Sequence, residues 1–228
     1  MAKNDFSGEV AVNYEQKCLC VLVLDVSGSM AGKPIEELNK GLQNFYKDIY
    51  EDDNTSQRLE ISLITFNDRV KTIQEPALVE NFTMPTLTAG GTTAMVDAVR
   101  EAIEKVEARK QYYKSTGQTY YRPWIILMTD GEPDSGQDTI GLANQIKADT
   151  SGTSKKYEFL PIGVQGANMD ILNQIKGNIP AMSMNSAKFL EFFKWLSNSL
   201  SIIASSEKKP VKLDNPTTWM DEYFAVED

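Results

Sequence analysis

Six apolar residues, Leu19-Cys20-Val21-Leu22-Val23-Leu24, run unbroken into Asp25-Val26-Ser27-Gly28-Ser29. Apolar residues at every position, rather than every second one, read as a strand covered on both faces, which requires a mostly parallel sheet with helices above and below it. Trp124-Ile125-Ile126-Leu127-Met128 is a second such run and ends in Thr129-Asp130-Gly131. Gly90-Gly91-Thr92-Thr93 lies between the two, ahead of an amphipathic helix predicted from about Ala94. Ligands of an open parallel sheet gather at the carboxyl ends of its strands, so these three segments are expected to converge.

Carboxylates and small hydroxyls are hard oxygen donors, the kind magnesium accepts when water and other oxygens complete its octahedron. The order Asp-x-Ser-x-Ser, then threonine, then aspartate resembles that of a von Willebrand factor A (VWA) domain with its metal-ion-dependent adhesion site. The resemblance implies a Rossmann-like α/β fold and a metal site of Asp25, Ser27, Ser29, Thr92 and Asp130, with Thr93 as the alternative for the fourth position. The implied cation is Mg2+, with Mn2+ or Ca2+ as alternatives. Ser27, Ser29 and Thr92 would carry it, Asp25 and Asp130 would hold it partly through water, and an open position would accept a partner's aspartate or glutamate. Within the family the chain is similar to the bacterial TerY-like group of tellurite-resistance and related stress operons. That similarity rests on Ser27-Gly28-Ser29-Met30, Leu63-Ile64-Thr65-Phe66, Gly90-Gly91-Thr92-Thr93-Ala94, Met128-Thr129-Asp130-Gly131-Glu132-Pro133 and Phe193-Lys194-Trp195-Leu196-Ser197-Asn198-Ser199.

Strands and helices alternate along the chain, predicting a central, mostly parallel sheet of about six strands with helices on both faces. Pro34 to Tyr50 repeats apolar residues at helical spacing, with proline suited to the first turn. Arg58 to Phe66 and Val70 to Ile73 read as two strands joined at Asn67-Asp68, so the edge strand is expected to run antiparallel, with its turn on the metal side. Ala77 to Ala89 lacks a period and reads as irregular. Met95, Val99, Ile103 and Val106 mark the next buried helix stripe, and Lys110 to Pro123, with two tyrosine pairs, reads as a connection opposite the metal. Shorter helices over Thr139–Ala148 and Met169–Ile175 flank a strand at Tyr157–Val164; a weak strand near Ala181–Met184 precedes a final helix with Phe189, Phe193, Leu196, Leu200 and Ile203 on one stripe. The expected organisation is an N-terminal extension over 1–17, one domain over 18–204 and a tail over 205–228 whose Trp219, Met220, Tyr223 and Phe224 suit a docking peptide or packing onto the domain.

The 228 residues contain no histidine, which removes Ser-His-Asp catalysis, imidazole acid-base chemistry and histidine-ligated zinc. Ser27 has no base beside it in sequence, and Gly90-Gly91-Thr92-Thr93 lacks the lysine of a phosphate-binding loop. A net charge of −9 with no long basic stripe argues against nucleic acid. The first residues lack an apolar leader, no run is long enough to span a membrane, and a bacterial cytoplasm is the expected location. Cys18 and Cys20, two apart on one strand, point to the same side and are expected to pack as thiols. The function expected is that of a non-enzymatic, metal-dependent interaction module, a scaffold or adaptor. By resemblance to the TerY-like group, its partners include an operon-encoded kinase or PP2C-type phosphatase in a stress-response or defence complex. A metal-assisted phosphoester hydrolase and an adaptor of an AAA+ ATPase are the alternatives, with Glu132 and Asp134 assigned to the rim.

Overall fold

The computed structural model describes residues 4–153, 155–164 and 166–205. Its sheet contains β1 (Cys18–Asp25), β2 (Leu59–Phe66), β3 (Val70–Leu78), β4 (Trp124–Thr129), β5 (Glu158–Val164) and β6 (Met182–Met184), in the spatial order β3-β2-β1-β4-β5-β6. Every neighbouring pair is parallel except β2 with β3. The fold is therefore the expected Rossmann-like α/β arrangement with one antiparallel edge strand.

All eight residues of β1 are buried, because both faces of the strand are covered. Cys18, Cys20, Leu22 and Leu24 enter the core formed with α1 (Lys33–Tyr50) and α6 (Phe189–Ser205). Leu19, Val21 and Val23 enter the opposite core beneath α3 (Met95–Thr116), α4 (Thr139–Thr150) and α5 (Met169–Ile175). Both cysteines are free, fully buried and on one face, and burial pushes their thiols up, that of Cys18 to about 12. A short helix, α2 (Asp53–Ser56), follows α1 and is capped by the Asp52 carboxylate, which accepts from the Asn54 and Thr55 amides.

Gly41 lets α1 approach α6, since a Cβ there would lie 2.6 Å from the Phe193 ring. The buried stripe of α6 is flanked by serines one turn apart. Ser197 donates to Asp48 at 3.3 Å and Ser201 to Asp52 at 2.6 Å, while Asn54 donates to Ser205 at 2.6 Å. Residues 206–228, including the tail aromatics Trp219, Met220, Tyr223 and Phe224, lie outside the described residues.

Two sequence-based boundaries are corrected. β3 continues past Ile73 to Leu78, with irregular register against β2. Pro76 is tolerated because β3 is an edge strand. The helix begun at Met95 continues to Thr116, so Lys110 to Thr116 is helical rather than a connection, and Gly117 ends it in the left-handed conformation (φ +73°).

The extension of α3 carries a buried polar cluster at the amino-terminal end of the sheet. Arg109 makes a two-pronged bond to Glu60, Nε to Oε2 at 2.7 Å and Nη2 to Oε1 at 2.9 Å. Tyr113 donates to Glu60 Oε2 at 2.6 Å, and Glu9 meets Arg109 at 2.5 Å. The guanidinium also lies 4.2 Å from the Tyr112 ring centroid and 5.0 Å from that of Phe6. Tyr112 and Tyr113 are thus core residues, and residues 4–9 are tied to α3 by the same arginine.

Candidate metal centre

The carboxyl ends of β1 and β4 are adjacent, because the two strands pair directly. Asp25, Ser27 and Asp130 are buried, whereas Ser29 is exposed. Asp25 Oδ1 accepts the Ser27 amide at 2.8 Å, and Oδ2 accepts the Thr129 hydroxyl at 2.5 Å. Ser27 Oγ and Ser29 Oγ are 3.0 Å apart, and Ser29 Oγ donates to Asp130 Oδ1 at 2.8 Å. A hydroxyl relay therefore links the first motif to the carboxylate that ends the fourth strand.

The third segment is bound to the first through its backbone. Gly28 donates to the Gly91 carbonyl at 3.0 Å and Gly90 to the Val26 carbonyl at 2.8 Å. Asn67 Nδ2 donates to the Gly90 carbonyl at 2.7 Å, which brings the predicted Asn67-Asp68 turn to this end of the sheet. Gly91 has φ +89°, and a Cβ there would lie 2.6 Å from Asp68 Oδ1, so both backbone shape and space call for glycine.

Of the two threonines, Thr92 is exposed and Thr93 is 8% exposed. A Cβ on Gly131 would lie 3.5 Å from Thr93 Oγ1 and 3.8 Å from Asp25 Oδ2, which places the Thr93 hydroxyl and the Asp25 carboxylate beside one small space. Thr93 is the more firmly fixed of the two, whereas Thr92 is open to solvent as Ser29 is. The physical reason lies in the backbone. The Thr93 amide donates to Asp134 Oδ2 at 3.1 Å, and its carbonyl accepts from the Asp134 amide at 3.0 Å and from Gln137 Nε2 at 2.6 Å. Asp134 is thus more than a rim acid. Glu132 is exposed and accepts from Asn168 Nδ2 at 2.7 Å.

Thr129 and Gln137 are neighbours that sequence reasoning missed, and the grip of Asp134 on Thr93 went beyond the rim position expected of it. A hydroxyl interrupting the otherwise apolar end of β4 was the available signal for Thr129; the other two are set by contacts distant in sequence.

The donor set fits a hard divalent cation: two carboxylates and three hydroxyls, with no nitrogen or sulfur. Among the described residues no three acidic, cysteine or histidine side chains gather at one point, so hydroxyls must supply much of any such site. Burial raises the Asp25 carboxyl above its ordinary range, with the Asp130 charge adding to the effect, and burial raises Asp130 likewise. A site that penalises its own negative charge in this way gains from a cation.

The raised values have a sign that can be checked. The folded metal-free chain keeps protons on these groups at a pH where the unfolded chain has released them. Their contribution therefore favours the fold as pH falls through the raised values and is lost as pH rises through them. The difference in urea midpoint between wild type and Asp25→Asn, measured in a chelator, should shift toward the wild type on acidification. A shift the other way would show that Asp25 is not held above its ordinary range.

Residues 20–195 match the von Willebrand factor type A domain. No curated protein matches the sequence. Among solved structures, the pilus adhesin SpaC of Lactobacillus rhamnosus GG, in its open conformation, is similar at a TM-score of 0.63 and 17% identity, over 82% of this chain and 30% of SpaC. The ArnB paralog VWA2 of Sulfolobus acidocaldarius gives 0.53 and 18%, over 82% of this chain and 44% of that one. Proximal thread matrix protein 1 of the mussel byssus, with a zinc-occupied MIDAS motif, gives 0.55 and 14%, over 85% and 47%. The chain thus spans less than half the length of each of these three, and at such identities the likeness is one of fold. With the matched segment running from the third residue of β1 into α6, the chain belongs to the von Willebrand factor type A domain family.

Proposed function

We propose that this chain is a non-enzymatic, metal-dependent protein-interaction module, a scaffold or adaptor. The cation is held by Asp25, Ser27, Ser29, Thr92 and Asp130, with Thr93 as the alternative for the fourth position, and an aspartate or glutamate of a protein partner binds through it. The observation that carries this reading is the Ser27–Ser29–Asp130 relay beside the buried Asp25 carboxylate. Neutral hydroxyls leave a bound cation most of its charge, which is what a partner's carboxylate needs. Ser29 is exposed, so the group is open to solvent on the side a partner would use.

What surrounds Ser27 supports the non-enzymatic reading. Its hydroxyl meets Ser29, not a base, and the sequence has no histidine to supply one. Mg2+ is the proposed ion, with Mn2+ and Ca2+ as alternatives, and zinc belongs in the same titration because the mussel protein's motif holds it. The proposed setting is a bacterial cytoplasm and a TerY-like tellurite-resistance or defence system, with an operon-encoded kinase or PP2C-type phosphatase as partner. No helix among the described residues is long and apolar enough to cross a membrane.

Capture of proteins from native extract with and without Mg2+, comparing wild type with Asp25→Ala, tests the reading. A partner retained only by wild type with Mg2+ supports it. Identical partners in all lanes would place recognition elsewhere on the domain. Ser27→Ala and Ser29→Ala are expected to weaken Mg2+ binding less than Asp25→Ala does, because water replaces a neutral hydroxyl more readily than a carboxylate. Calorimetric titration ranks the three, and a serine variant as deficient as Asp25→Ala would reverse the roles assigned here.

A further inference from the structure

The amino terminus of α3 has no cap of its own. Ala94 stands at the capping position and offers no side-chain acceptor, although the first-turn amides of a helix need partners from outside it. The acceptor comes instead from 41 residues downstream, where Gln137 Oε1 takes the Val96 amide at 2.7 Å. The same side chain turns its Nε2 to the Thr93 carbonyl at 2.6 Å. Asp134, three residues before, pairs with both the amide and the carbonyl of Thr93 at 3.1 Å and 3.0 Å. One loop, leaving β4 directly after Asp130, thus grips the backbone on both sides of Ala94 and fixes the residue that precedes it.

We propose that Gln137 is a positioning residue of the metal centre: as a cap delivered in trans to α3, it holds the backbone at Thr93 and with it the Thr92-Thr93 loop that supplies the fourth ligand position. The inference rests on the metal-centre reading and extends it to a residue outside the five ligand positions. Two consequences follow from the hydrogen bonds. The loops carrying Thr93 and Asp130 move as one unit, because they share Gln137 and Asp134. The backbone bonds from Gly28 and Gly90 add the Asp25–Ser29 loop to the same unit, so the oxygens are in place before any ion arrives.

The test uses the full chain with Gln137→Met, which keeps side-chain length and removes both bonds, and Gln137→Asn as the substitute should the methionine variant fail to fold. In chelator, the Val96 amide is expected to exchange at least about tenfold faster in the variant, and the Thr93 methyl resonance is expected to shift. Mg2+ affinity, by calorimetry, should fall about tenfold, the scale on which partners that orient metal ligands act. In a Thr92→Val background the same substitution should cost less than about twofold, because a residue acting through the threonine loop has no ligand left to position. An unchanged Val96 exchange rate, an unmoved Thr93 methyl, or an equal loss of affinity in the Thr92→Val background would each overturn the proposal. If wild type takes up neither Mg2+ nor Mn2+, the metal-centre reading falls, while the Val96 and Thr93 signals in chelator still decide whether Gln137 sets the threonine.

Discussion

Asp25→Ala is expected to abolish Mg2+ binding while the metal-free protein remains folded. The carboxylate supplies half of the formal negative charge at the centre, the rest coming from Asp130. Removing a group that merely orients a metal's ligands costs about 10–100-fold in affinity, so losing one of two charged members should exceed the upper end of that range. The fold has more to absorb than a position at the end of a strand suggests. Asp25 is fully buried, and its loss leaves the Ser27 amide and the Thr129 hydroxyl without acceptors, at about 1–3 kcal/mol for each donor left unpaired. Relief of the penalty that burial places on the charged carboxyl works the other way. The net expectation is a drop of several degrees in melting temperature, at about 2–4 °C per kcal/mol for a chain of this size, with circular dichroism unchanged at 25 °C. Asp25→Asn, which retains an oxygen for the Ser27 amide, should fall by less and bind equally little metal. Wholesale unfolding of both variants, or full Mg2+ uptake by either, would remove Asp25 from the role given to it.

Arg109→Met should be the most destabilising single change outside the hydrophobic core, with no effect on metal uptake. Glu60 is 3% exposed and takes two bonds from Arg109. Without the arginine a buried carboxylate keeps one hydrogen bond, from the Tyr113 hydroxyl, and the charge of the buried Lys17 nearby. Breaking a buried ion pair from one side costs about 3–5 kcal/mol, or roughly 10 °C at the sensitivity above. The same substitution releases Glu9 and the rings of Phe6 and Tyr112, so the first described residues should become sensitive to protease. Combining Arg109→Met with Glu60→Leu should recover much of the loss, because two well-packed apolar groups replace a buried pair at little cost. Urea denaturation of the two single variants and the double variant measures this. A single variant within about 1 kcal/mol of wild type would show that solvent reaches Glu60 and repays the lost partner.

The strands that carry the site were legible because parallel strands covered on both faces leave no polar residue to interrupt them. Leu19 to Leu24 and Trp124 to Met128 announce their own ends, and the acids stand where the apolar pattern stops. Less local features escaped. Arg109, Lys110 and the tyrosine pair look like surface in sequence; Glu60 and Glu9 draw Arg109 and the tyrosines into the core, and Lys110 is covered where it meets Glu107 and the Lys156 carbonyl. The helix was therefore ended two turns early in the sequence-based outline. Pro76 signals a break, yet on an edge strand its missing donor faces away from the ladder, so β3 passes through it. The Thr93 carbonyl is held by Gln137, 44 positions away, and no feature of Gly90-Gly91-Thr92-Thr93 itself discloses that contact.

The place of β1 in the sheet bears on how the domain would carry load. It is paired along its length with β2 on one side and with β4 on the other, both parallel to it. The described chain enters β1 next to where α6 ends, since Arg58, whose carbonyl accepts the Cys18 amide, also binds the Ala204 carbonyl. Tension between Lys17 and Ser205 would thus pull on two neighbouring points of one pole. α6 would peel away turn by turn, losing Asn54, Asp52 and Asp48 in that order, while the ladders of β1 would bear force on many bonds at once. A tether at this pole would strip one helix before it reached the strand that carries Asp25.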